Sequence, residues 1–288
     1  MGVLKKIDKS EHANVVNLYL SGKSSNKISK LYKVSVTPIQ RILRENNVKV
    51  RNQFLCGKTI FMDEFYFDKI DMPSKAYVLG LFYTDGNNHE PRARLAIGLN
   101  DLEVIEFIQK EFKTNKKIYE VPINGKDRKN IQYRLDITNR KVSAKLAEIG
   151  CKSNKTETLK FPDKIFLPIE LVKFFILGCF DGDGCLIRYR NRFFRWNFIG
   201  TFDMCNQIKF FIEKTIKVSL KIRKAGKHRF LFCLDLYKLE EIKKLLRFLY
   251  DKAPFKMKRK YKMFLELENT KFIRKCPSTV LDIQEPTK

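Results

Sequence analysis

The chain has 288 residues, 44% of them hydrophobic, which is enough apolar material for a substantial core and excludes a disordered basic tail. Lysine and arginine total 58 against 32 acids, a net charge of +26 spread along the whole length, so a polyanionic partner is expected. The seven cysteines show no Cys-x-x-Cys spacing and read as reduced, mostly buried thiols, while His12, His89 and His228 are too scattered for a zinc site or a histidine-dependent triad. The longest apolar stretch, near Leu171, is short and is broken by Lys173, so no membrane is expected and the protein reads as soluble and intracellular: cytoplasm or nucleoid, an organelle, or a phage-infected cell.

The first fifty residues form one module. Val15 to Leu20 reads as a helix closed by Gly22, Ser24 to Tyr32 as a second, and Ser35 to Glu45 as a third with Ser35 as N-cap and Pro38 tolerated in the first turn. Ile28, Leu31, Ile39, Ile42 and Leu43 form the inward stripe, with a turn at Lys33-Val34. Thr37, Gln40, Arg41 and Arg44 remain on the outer face of the third helix. The spacing resembles a helix-turn-helix of the resolvase and transposase type. In that reading the third helix enters a major groove, where glutamine can read adenine and arginine guanine. A plain three-helix interaction module shows the same pattern. Residues 51–71 read as a linker with some docking through Phe54, Phe61 and Phe65.

Two later stretches read almost alike: Tyr77-Val-Leu-Gly-Leu-Phe-Tyr-Thr-Asp85-Gly86 and Phe175-Ile-Leu-Gly-Cys-Phe-Asp-Gly-Asp183-Gly184. Each is an apolar helical run with a glycine inside it and a carboxylate at its C-terminal end, where the helix dipole is negative and a cation is needed in compensation. Gly80 and Thr84, like Gly178 and Gly182, share one helical face, and small residues there let two helix backbones approach. Side by side, the helices would bring Asp85 and Asp183 together. At about 4 Å and an effective dielectric near 20, two such charges repel by roughly 4 kcal/mol. A divalent ion resolves the conflict, and oxygen ligands favour magnesium or a similar hard ion.

These residues resemble the LAGLIDADG homing endonucleases, in which this helix forms the interface between two halves and carries a catalytic acid. The second copy, Ile176 to Gly184, is the close match. The first departs from it, with Tyr83 at the first acid position and Thr84 at the small one.

The elements that follow each copy keep one order. Arg92 to Leu99 alternates as a half-buried strand, Leu102 to Phe112 reads as a helix, Ile131 to Ile137 as a strand and Lys141 to Ile149 as a helix. Phe194 to Ile199, Arg229 to Leu236 and Leu239 to Tyr250 answer them in the second copy. The expected architecture is α+β: two pseudo-symmetric αββαββα half-domains, residues 72–165 and 166–276, after the helical module and before a short tail, 277–288. With both halves in one chain, a monomer is expected.

The resemblance implies hydrolysis of phosphodiester bonds on both strands of DNA with Mg2+ or Mn2+. It implies Asp85 and Asp183 as metal ligands, assisted by the backbone carbonyls of Thr84 and Gly182, and a lysine near the scissile phosphate in each half. By position these are Lys155 and Lys258. On the strands, Arg92, Arg94, Arg134, Arg188, Arg190, Arg195, Lys221, Arg223 and Arg229 lie opposite the apolar positions, and two such sheets would make a basic saddle for double-stranded DNA. Two other readings share the fold and the charge: an RNA maturase, and a transcription regulator without catalysis. Neither requires both acids.

Overall fold

The computed structural model describes residues 7–48, 50, 61–122, 131–189, 193–226 and 230–270. The chain divides into two compact units, Met1–Ile60 and Phe61–Lys288. Arg190, Arg229, Phe54 and the tail 277–288 lie outside the described residues. Among the described residues no helix is long and apolar enough to cross a membrane.

The first unit contains α1 (His12–Leu20), α2 (Ser25–Leu31) and α3 (Val36–Glu45). Ser24 caps α2 by accepting from the Lys27 amide, while Ser35 occupies the N-cap of α3 without a side-chain bond. Val15, Tyr19, Ile28, Ile39, Ile42 and Leu43 make the core. Leu31, expected in that core, is 59% exposed. It is the last residue of α2, where the inward place is taken by the following side chain. Tyr32, one residue further on, packs there and donates its hydroxyl to Glu11 at 2.7 Å.

The second unit is α+β and repeats αββαββα. The first half runs α4 (Pro73–Thr84), β1 (Gly86–His89), β2 (Arg94–Leu99), α5 (Leu102–Glu111), β3 (Tyr119–Pro122), β4 (Ile131–Thr138) and α6 (Arg140–Ile149). The second runs α7 (Val172–Asp183), β5 (Gly184–Tyr189), β6 (Phe193–Thr201), α8 (Phe202–Ile216), β7 (Lys221–Lys224), β8 (Leu231–Leu236) and α9 (Leu239–Tyr250), followed by α10 (Lys258–Glu268). The sheets have matching antiparallel orders, β1-β2-β4-β3 and β5-β6-β8-β7. Alternation decides the faces: Leu95, Ile97, Leu99, Leu135 and Ile137, and in the second half Trp196, Phe198, Leu234 and Leu236, belong to the common core. The intervening residues face away from it.

Three local readings change. The strand expected from Arg92 begins at Arg94, because Glu90–Arg92 forms a 3-10 turn and Ala93 takes a left-handed conformation at φ 49°. The stretch expected as linker is part of the second unit from Phe61 onward: Tyr66, Phe67 and Ile70 are buried in its core, and the Tyr66 hydroxyl donates to Glu111 at 2.9 Å. A further helix, α10, follows the second half.

The helices α4 and α7 form the seam. They are apolar nearly all round, as befits helices covered on every side. A Cβ placed on Gly178 would overlap the Tyr77 carbonyl oxygen and stand 3.1 Å from the Gly80 Cα; one placed on Gly80 would overlap the Phe175 carbonyl. Backbone therefore lies against backbone. Gly178→Ala forces the helices apart and is expected to cost about 1–3 kcal/mol, read as a lower urea midpoint with an unchanged slope.

Candidate active site and nucleic-acid interface

Close packing along the seam carries both helix ends to one place. Asp85 is the C-cap of α4, its amide bonded to the Leu81 carbonyl at 3.0 Å, and Asp183 is the last residue of α7. Glycine at 182 is required there: a Cβ would stand 2.6 Å from the Asp85 Oδ2 and overlap the Thr84 hydroxyl. Thr84, at the equivalent place on α4, turns its hydroxyl back to the Gly80 and Leu81 carbonyls, at 3.2 and 3.1 Å.

Burial pushes the Asp85 carboxyl up to about 7, and the Asp183 charge adds to the rise, against the pull of Lys260 and Lys155. Asp85 Oδ2 is buried without a hydrogen-bond partner. Asp183 reaches solvent, yet displacement of water by the surrounding protein also raises its carboxyl, against Lys155 and then Lys260. An orphaned carboxylate oxygen beside a second carboxylate is a place for a cation. Among the described residues no three His, Cys, Asp or Glu side chains converge, so an ion here has two carboxylates and must complete its shell with backbone, water or substrate oxygens. That donor set suits magnesium or manganese and is unsuited to zinc.

Two lysines brace the helix ends. Lys155, on a 3-10 turn after α6, donates to the Gly86 carbonyl just beyond Asp85. In the second half the corresponding residue is Lys260. Its ammonium, 3% exposed by residue, donates to the backbone carbonyls of Gly184 at 2.7 Å, Asp181 at 2.8 Å and Phe180. Burial lowers its pKa to about 8, against the opposing pull of Asp181. Lys258, the position expected from the sequence, is exposed at the start of α10, where its amide donates to Glu103. The phase of α10 decides between them: Met257, Lys260, Phe264 and Leu267 make its buried stripe. That helical periodicity was readable in a run otherwise crowded with lysines.

Asp181 was also missed. It is buried, burial raises it to about 6 against the pull of Lys260 and the Tyr77 hydrogen bond, and its Oδ2 accepts from the Tyr77 hydroxyl at 2.8 Å, linking α7 to α4. Its counterpart Tyr83 instead donates to the Ile149 carbonyl at 2.8 Å.

The outward sheet faces carry the charge. Arg94 and Arg134 pair with Asp136 at 2.9 and 3.0 Å; Arg195 and Arg223 pair with Asp235 at 2.7 and 2.6 Å. Lys221, opposite Asp235 in the ladder, is exposed on the same face. Arg92 lies off the strand and joins His89, Arg94 and Arg134 around a hollow of about 80 Å3. His89 is thus on this face. Arg188 is a correction: its ladder partner is the core residue Phe194, which places it on the helix side, where it pairs with Glu266 of α10 at 3.6 Å. In the first unit Thr37, Arg41 and Arg44 are exposed on α3 and Gln40 is half-buried; Arg41 pairs with Glu45 at 3.4 Å.

Of the cysteines described, Cys151, Cys179, Cys205 and Cys233 are buried and Cys185 is exposed, all as free thiols.

The rise at Asp85 has a pH consequence. Its folded-state pKa near 7 lies above the ordinary 3.8, so folding takes up a proton and stability is lost as pH rises through 7. In EDTA, Asp85→Asn is expected to melt with the wild type near pH 4 and roughly 2–8 °C above it at pH 8, by thermal unfolding.

No protein-family model matches the chain, and no curated protein does. Several solved structures are similar in arrangement. Full-length DUF199/WhiA from Thermatoga maritima aligns at 11% identity and a TM-score of 0.47, over 75% of this chain and 66% of that one. The homing endonuclease I-WcaI bound to its DNA recognition sequence aligns at 11% and 0.48, over 68% and 89%. I-DmoI in complex with DNA and Mn aligns at 17% and 0.40, over 62% and 97%.

Proposed function

We propose that the chain is a divalent-metal-dependent DNA endonuclease that hydrolyses phosphodiester bonds on both strands at a specific site. One observation carries the reading: two carboxylates are packed at the negative ends of two helices, both raised, one with an oxygen that nothing in the protein satisfies. A binding protein gains nothing by such an arrangement beside DNA phosphates, whereas an ion-dependent hydrolase needs it.

Asp85 and Asp183 would hold Mg2+ or Mn2+, with the Thr84 and Gly182 carbonyls and substrate oxygens completing the shell. The ion supplies activation of water and compensation of the charge that develops on the scissile phosphate. Lys155 and Lys260 keep the two helix ends, and so the two carboxylates, in register. The positive charge of Lys155 also lies where a phosphodiester would enter. Lys155 borders a cleft of about 250 Å3 that reaches Asp183, Thr84 and Thr201. This gives Lys155 access to the reacting region. Lys260, committed to three carbonyls, acts chiefly on the helix end.

The basic outward faces of the two sheets would lie along the major groove, with phosphate contacts fixing register and base contacts giving specificity. The helical unit would add a further DNA contact through Thr37, Gln40, Arg41 and Arg44. Steep salt dependence follows from the charge. A monomer suffices, since one chain supplies both acids.

The test is cleavage of a plasmid library carrying random inserts, at low salt with Mg2+ and then Mn2+. Wild type is expected to linearise a subset sharing one motif. Asp183→Asn should lose at least about a thousandfold in rate, and Lys258→Ala should stay within a few fold of wild type. Tight, motif-specific binding with no cutting in either ion would overturn the nuclease reading.

A further inference from the structure

Each outward sheet face has one carboxylate set between two arginines, and the two arrangements correspond. Leu95 faces Ile137 in the first ladder and Trp196 faces Leu236 in the second, so Arg94 and Arg195 occupy equivalent places, as do Asp136 and Asp235. The second arginine comes from different strands: Arg134 from β4 itself, and Arg223 from β7, opposite Cys233. Two unlike routes thus lead to the same Arg–Asp–Arg cluster.

The bonding is directional. Asp136 accepts from Arg94 Nη2 at 2.9 Å and from Arg134 Nε at 3.0 Å. Asp235 accepts from Arg195 through both Nε and Nη2, at 2.9 and 2.7 Å, and from Arg223 Nε at 2.6 Å. Asp235 is 1% exposed while Arg223 remains 48% exposed and Arg134 36%. Anchoring an arginine through Nε turns its two Nη groups away from the acid, the geometry that pairs with guanine O6 and N7; in Arg223 one Nη1 hydrogen makes a long bond of 3.5 Å to the Lys224 carbonyl, which also fixes the fork.

An acid on a face meant for a polyanion weakens general attraction, and in a chain of net charge +26 no carboxylate is needed to offset it. A phosphate can be held by a bidentate arginine or by a mobile lysine and carries no sequence information, so aiming one particular fork from each sheet face matters most for reading a base edge. Fixing the fork before binding matters when direction matters, since less rotamer freedom is lost in recognition. The partly exposed pairs of Asp136 add little to stability, and a buried paired acid such as Asp235 is often no more stabilising than an apolar residue in its place, so fold maintenance alone does not account for two such clusters.

We propose that Asp136 and Asp235 are specificity-determining positioning residues: each holds one reader, Arg134 or Arg223, so that the DNA target requires a guanine at one base pair in each half-site. Arg94 and Arg195 buttress the readers. This inference rests on the reading of the sheet faces as a DNA interface and is independent of whether the DNA is cut.

The test is selection of bound duplexes from a randomised library by the full chain in EDTA, with motifs compared across variants. Wild type is expected to select two strongly preferred G·C pairs, one in each half of the motif. Asp235→Asn should flatten one and Asp136→Asn the other, with affinity for the wild-type motif falling about ten- to a hundredfold. Arg223→Lys keeps the charge, so it should erase the same guanine as Asp235→Asn while leaving the salt dependence unchanged. A motif lacking those guanines, variants that keep the wild-type motif, uniform weakening on all sequences, or no DNA binding would each overturn the proposal. A chain that shows the predicted motif changes but never cuts loses only the nuclease reading; one that cuts with an unaltered motif loses only this one.

Discussion

Everything at the candidate site depends on how closely α4 and α7 approach. Gly80 and Gly178 place backbone against backbone, and Gly182 leaves room for Thr84 and Asp85 at the end of the crossing. Two helix C-termini, each a site of partial negative charge, are thereby brought together with a full carboxylate on each. The packing that stabilises the seam creates an electrostatic conflict at its end. Burial raises both carboxyls, the Asp183 charge adds to the rise at Asp85, and one Asp85 oxygen is left unsatisfied.

The protein meets part of this charge with its own cations. Lys155 and Lys260 reach the carbonyls that follow the two helices, one from a turn after the first half and the other from a helix after the second. They neutralise the helix ends more than the carboxylates, so room remains for an external cation. Around this nearly repeated centre the halves differ. Asp181 accepts a bond from Tyr77 across the seam, whereas Tyr83 bonds within its own half. The sheets show the same tendency: corresponding Arg–Asp pairs, completed by a second arginine from unlike positions.

Legibility followed the strength of the local pattern. The doubled apolar run with its terminal acid was readable because a fully covered helix needs apolar residues on every side, and the close approach needs small ones at a fixed interval. Strand faces were readable from alternation for Arg94, Arg134, Arg195, Lys221 and Arg223. Arg188 was misread because it sits at even spacing from Leu186, on the helix side, near the end of β5. Arg92 lies beside the outward arginines but off the strand, because a left-handed Ala93 ends the alternation. The buried lysine depended on the phase of α10, which a basic run disguised, and the carboxylates Asp136 and Asp235 became visible only once the ladders put arginines from four strands around them. The docking of Tyr66, Phe67 and Ile70 was hidden because apolar residues broken up by charges, with no helix or strand period, do not say what they pack against.

The central claim is that Asp85 and Asp183 form one cation site at the end of the seam. The direct measurement is titration of the full chain with Mn2+, bound to a DNA duplex, with free ion followed by electron paramagnetic resonance. Saturable uptake by wild type that is lost in the Asp85→Asn, Asp183→Asn double variant is the predicted result. Equal uptake by the double variant, or none by the wild type, would contradict the account.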